Sequence, residues 1–247
     1  MRPLILGALG ALCVFALAAC SNPEAERQQQ EAAAGQERAK READAEGIGK
    51  LYDAAITATD WEKARIHGAA LLDQFPDSAT AQRIEPGFAE VREKAAAASE
   101  LRRMQALWNY NQVPVKGGTQ RSAAIYSKDR VEVDSTGAKQ VNLVFRDHPE
   151  WKRHAYLVLQ SSDFAKACYR GCQVKVSVDG APARDMAAHR PDTDEAIAMF
   201  IVDNRGLWRQ ARKAKVIEIE FPVQAGGTRK AVFEVGGLDG SQMPNWD

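Results

Sequence analysis

Two hydrophobic periods divide the chain. Up to about Leu107 apolar positions recur every three or four residues, and beyond Gly117-Gly118 they recur every second residue. The first spacing predicts amphipathic helices, the second half-buried strands. Leu51, Tyr52, Ala55 and Ile56 fall on one helical face. Thr59-Asp60 can cap a second helix whose stripe is Ala64, Gly68, Leu71 and Phe75, and Pro76-Asp77-Ser78 stops it and caps the next. A third helix is expected from about Ala79, interrupted or restarted at Pro86 and continuing toward Trp108. Its stripe is Ile84, Phe88, Val91, Ala95, Ala98 and Leu101.

In the second half, residues 123–127, 141–145, 155–160, 173–178, 196–202, 216–221 and 230–235 read as strands. Val174, Val176 and Val178 alternate with Gln173, Lys175 and Ser177, as a sheet with one wet face requires. Between the last strands, Asn204 can cap a helix carrying Leu207, Trp208 and Ala211. The fold class expected is therefore α+β: an N-terminal helical hairpin module over 48–108, then an antiparallel β-sandwich-like or curled domain with one helix over 120–240.

The segment before this, 20–47, has no aliphatic side chain larger than alanine. Asn22-Pro23-Glu24 is a helix start, with a cap, a proline at the first position and a carboxylate at the positive end of the dipole. Good helix formers follow, but no stripe exists to bury. A tether is expected here, either a solvated helix or disordered.

Residues 1–19 carry one charge, Arg2, before an apolar run from Leu4 to Ala19, the length and flanks of a secretory signal peptide. The run closes on Leu17-Ala18-Ala19-Cys20, which resembles the lipobox of bacterial lipoproteins. That resemblance implies cleavage before Cys20, acylation of its thiol and anchoring in a lipid bilayer. A residue other than Asp at Ser21 implies the outer membrane, facing the periplasm. The remaining chain holds 32 basic and 33 acidic side chains, a balance that argues against a nucleic-acid partner. Cys13 leaves with the signal, so Cys168 and Cys172 are left as thiols where disulfides persist. In one extended strand they would stand about 13 Å apart, too far to bond. A disulfide needs a turn, for which Tyr169-Arg170-Gly171 serves, with Gly171 in the left-handed region. The expectation is a hairpin stapled at its mouth.

Candidate chemistry is sparse. His148 and His154 flank Pro149-Glu150-Trp151 beside Asp147, a constellation that in another setting holds a metal or serves hydrolysis. His67 and His189 stand apart as ordinary surface or core residues. Asp192, Asp194 and Glu195 form an acidic patch without the spacing of a calcium loop. No nucleophile elbow, phosphate-binding loop, zinc-protease or dinucleotide motif occurs. No cofactor, metal or catalytic residue is assigned, and the chain is read as a non-enzyme.

Two further resemblances bear on function. Leu51, Ala64, Leu71 and Pro76 stand as in one tetratricopeptide unit, a type of hairpin used in protein contacts. Phe164-x3-Cys168-x3-Cys172-x-Val174-x-Val176-x-Val178-Asp179-Gly180, Ala198 to Ile201, Ala214-Lys215 before Ile217-Glu218-Ile219-Glu220, and Phe233-x-Val235-x-Gly237-Leu238 resemble periplasmic β-domains of Gram-negative bacteria, some associated with type VI secretion. These imply an envelope scaffold or binding protein. The alternatives are an inhibitor, immunity or secretion accessory lipoprotein, and an envelope hydrolase pairing His148 or His154 with a carboxylate.

Overall fold

The computed structural model describes residues 22–160, 163–191 and 197–246. The signal segment, Cys20 and the acidic patch at Asp192, Asp194 and Glu195 lie outside the described residues. The chain divides into two compact units, one ending at Val91 and one beginning at Arg92.

The first unit is helical. Helix α1, Pro23–Thr57, runs without a break through the position where a tether was expected to give way to a folded module. Asn22 caps it, its side chain accepting from the Glu24 N–H at 3.1 Å. What changes along α1 is burial: the first two-thirds is almost wholly exposed, and then Ala45, Gly49, Tyr52 and Ala55 turn inward. Leu51, expected on that stripe, is 54% exposed. At 100° per residue it stands well off the line through 45, 49, 52 and 55. Helix α2, Trp61–Gln74, starts at Asp60, which accepts from the Lys63 N–H, and buries Ala64, Gly68 and Leu71. A Cβ at Gly68 would lie 2.4 Å from the Phe88 ring, so the missing side chain lets the next helix approach. Helix α3, Ala79–Ala106, is capped by Ser78 Oγ on the Ala81 N–H. Pro86 does not interrupt it. Arg83 bonds both oxygens of Asp53, tying α3 to α1.

Among the described residues the second unit contains the last turns of α3 and nine strands: β1 (Trp108–Val115), β2 (Gly118–Tyr126), β3 (Val141–His148), β4 (Lys152–Leu159), β5 (Cys172–Val178), β6 (Arg184–His189), β7 (Ala198–Ile201), β8 (Ile217–Pro222) and β9 (Thr228–Phe233). They form one antiparallel sheet in the order β1-β2-β3-β4-β7-β6-β5-β8-β9. The α+β class with a helical N-terminal part and an antiparallel sheet domain holds, and of the two forms expected the sheet takes the curled one. It rolls on itself: the Lys128 N–H donates to the Val232 carbonyl at 2.7 Å, and Trp108 Nε1 reaches the Val235 carbonyl at 3.3 Å. The side chains inside the roll are the core. Phe145, Trp208 and Trp246 meet there at centroid distances of 5.1 to 5.4 Å. Helix α4, Asn204–Ala211, supplies Leu207, Trp208 and Ala211 to it. Its cap is Asp203, whose carboxylate takes the Gly206 N–H at 2.8 Å, and not Asn204.

Candidate functional site

Strand pairing sorts outward positions into two unlike halves. Across β6, β5, β8 and β9 the outward row is Asp185, Lys175, Glu220, Lys230, each directly opposite the next. Lys230 Nζ also bonds Glu218 at 3.0 Å. Alternating signs on neighbouring strands satisfy one another and face water at little cost. Across β1, β2, β3, β4, β7 and the end of β6 the corresponding row is Asn109, Ala124, Val144, Tyr156, Phe200, His189, again each opposite the next. It carries no carboxylate or guanidinium.

The next row of this second half is Ser122, Arg146 and His154. The guanidinium carbon of Arg146 lies 5.3 Å from the Tyr156 ring and 5.2 Å from that of Trp151 in the β3–β4 turn. Cation–π contact holds the group flat against the sheet. Among the described residues Arg146 has no ion-pair partner, and its Nε is buried without a hydrogen-bond acceptor. His154 is also half-buried, packed edge-on to Phe200 at 5.4 Å, with its Nδ1 unpartnered. Burial first, and then the charges of Arg146 and His189, hold its pKa below the ordinary histidine value, with the Lys152 carbonyl opposing. Tyr126, Trp151 and Val202 are exposed around this centre.

His148, by contrast, is committed to the fold. It is 5% exposed, its Nδ1 accepts the N–H groups of Glu150 and Trp151 at 3.1 and 3.2 Å, and its ring stacks on Trp151 at 4.0 Å. Among the described residues neither His148 nor His154 meets a carboxylate. Among the described residues no three metal-ligating side chains gather. His67 is half-buried in α2, and His189 is exposed.

Cys168 and Cys172 are bonded, with Cα atoms 4.9 Å apart. The turn that joins them is not the mouth of a hairpin. Residues Lys166–Arg170 form a 3-10 turn, β5 begins at Cys172, and the preceding strand β4 pairs with β7 instead. Gly171 has a positive φ of 101° but an extended ψ of 143°, outside the left-handed helical region. The staple fixes the turn beside β6: the Cys168 carbonyl accepts from the N–H groups of Gly171 and Arg190, and Arg190 Nη1 donates to Phe164.

In the helical unit a cavity of about 290 Å³ is lined by Arg38, Arg41, Glu42, Phe75, Asp77 and Ser78. Its polar groups hold the helices together. Arg41 donates to the Gln74 carbonyl, and Glu42 accepts from the Ala79 N–H at the start of α3.

No family model, no curated protein and no solved structure matches this chain. The aromatic half-face was not among the candidates drawn from sequence. Its signal is nevertheless present. Residues 155–159 and 196–202 are nearly unbroken apolar runs, whereas β5 and β8 alternate cleanly. Unbroken runs belong to strands covered on both faces.

Proposed function

We propose that the protein is a lipoprotein anchored through acylated Cys20 at the periplasmic side of the outer membrane, where its β-unit serves as a non-catalytic docking module for another envelope protein. One observation carries the docking role: β4 and β7 have the composition of strands covered on both faces, yet their outward positions, Tyr156, Val158, Ala198 and Phe200, are only half-buried within this chain. The outward strand positions of this half offer Tyr, Phe and Arg, with Trp151 beside them, and carry no Asp or Glu, a composition like that at the centre of protein interfaces. The lipobox-like run and the exposed half of α1 support a tethered placement.

The test joins both parts. Replacing Cys20 with Ala removes radiolabelled palmitate from the protein and moves it out of the membrane fraction. Tyr156→Glu, on the aromatic half, eliminates in-cell cross-linking to a partner, while Lys175→Ala on the charged half does not. Equal loss in both variants, or loss in neither, overturns the docking reading.

A further inference from the structure

We infer that the aromatic half-face receives an acidic segment of the partner protein, one carboxylate of which seats against Arg146 and His154. The inference rests on the docking reading and adds the chemistry of what docks. Arg146 and His154 are direct cross-strand partners on β3 and β4. Arg146 Nε and His154 Nδ1 are both buried and both lack a hydrogen-bond partner. An unmet donor in a partly desolvated place costs about 1–3 kcal/mol, more when charged; one carboxylate oxygen satisfies Arg146 Nε, and the other accepts from His154 Nδ1 when that nitrogen carries the ring proton. The guanidinium is already fixed between two rings, so little side-chain freedom is lost when an anion arrives.

Among the described residues no carboxylate competes for the place. No Asp or Glu occupies an outward position of β1, β2, β3, β4 or β7. Asp147, next to Arg146, accepts instead from Asn245 Nδ2 at 2.7 Å. Every other cationic strand position on the outer surface of the charged half has an anion opposite it. Arg146 has no anion opposite it among the described residues and sits in an aromatic surround, with the largely exposed Trp151 ring as its outer cover.

The experiment uses the full-length protein in the cells that make it. A photo-cross-linking phenylalanine analogue is placed at Tyr126 or Val202 on the aromatic half and at Gln173 on the charged half. Adducts are expected from the first two positions only, and the cross-linked segment is expected to contain Asp or Glu. Arg146→Gln should lower adduct yield at least five-fold and Arg146→Lys by less, with His154→Gln between the parent and Arg146→Gln. Thermal melts of the purified variants establish that each is folded, and the lysine and histidine variants carry the test if the glutamine variant is not. Unchanged yield in these variants, a cross-linked segment without carboxylates, or an adduct with lipid or glycan overturns the carboxylate inference while leaving a docking face. Absence of adducts from Tyr126 and Val202 in the parent overturns the docking reading itself.

Discussion

Gly237 lies against the end of α3: a Cβ there would sit 2.2 Å from the Gln105 nitrogen and 2.4 Å from the Met104 carbonyl carbon. Both are backbone atoms that cannot swing aside. Gly237→Ala therefore forces the strand β9 extension away from α3 and should cost about 3 kcal/mol in a urea titration. His154 makes a pH-dependent contribution of a definite sign. Its folded pKa is depressed below the reference value of 6.5, by burial and by the facing charges of Arg146 on β3 and His189 on β6. Below that reference value the unfolded chain takes up a proton that the folded chain resists, so stability from this residue is full above pH 6.5 and declines as pH falls through the lower folded value. Denaturation midpoints at pH 7.5 and pH 5 should differ more for the parent than for His154→Gln. The inward residues were the readable ones: Ile217, Ile219 and Phe221 alternate with Glu218 and Glu220, and all three are buried. Arg146 was not readable, because what singles it out is the identity of its cross-strand neighbours, and register is not written in any one strand.

At the scale of elements, Pro86 is the clearest local conflict. It stands at the eighth residue of α3, exposed, where it removes one helical hydrogen bond and crowds the carbonyl of Gln82. Because no packing is lost on its removal, Pro86→Ala should raise stability by about 2 kcal/mol, measured as the shift in the denaturant midpoint. Packing of Ala81, Ile84 and Phe88 along the same helix overrides the break that proline signals in a sequence. The Cys168–Cys172 staple closes a loop of sequence separation 4. Replacing both cysteines with alanine should cost about 2 kcal/mol from the unfolded chain, with loosening at the Arg190 end of β6 visible by hydrogen exchange. All seven strands expected from alternation have counterparts, whereas β1 and β6 were missed. In β6 only Met186 and Ala188 face the core, too little apolar signal in six residues, and β1 carries Pro114 and follows directly on a helical pattern.

At the scale of the whole molecule, the exposed stretch of α1 is separable from the fold. Residues 24–37 make no long-range hydrogen bond and are outside the helical core. Deleting them should leave the thermal midpoint unchanged while shortening the exposed helix by about 21 Å, readable as a faster sedimentation for the mass. That the helix reaches so far back was only half legible, since composition allowed a helix but supplied no reason for it to be stable alone. The β-unit has the opposite character. Its inner side is sealed by pieces from its two ends: Arg103 bonds Glu234, Trp108 bonds Val235, and Gly237 lies on Met104 and Gln105. Contacts separated by about 130 residues must all form before the barrel-like roll excludes water, which places this unit among slowly folding, high-contact-order topologies. A chain made available with its N-terminus first would hold an open, apolar half-roll until the segment carrying Phe233 and Val235 arrives, so the interval before closure is when it most needs a chaperone.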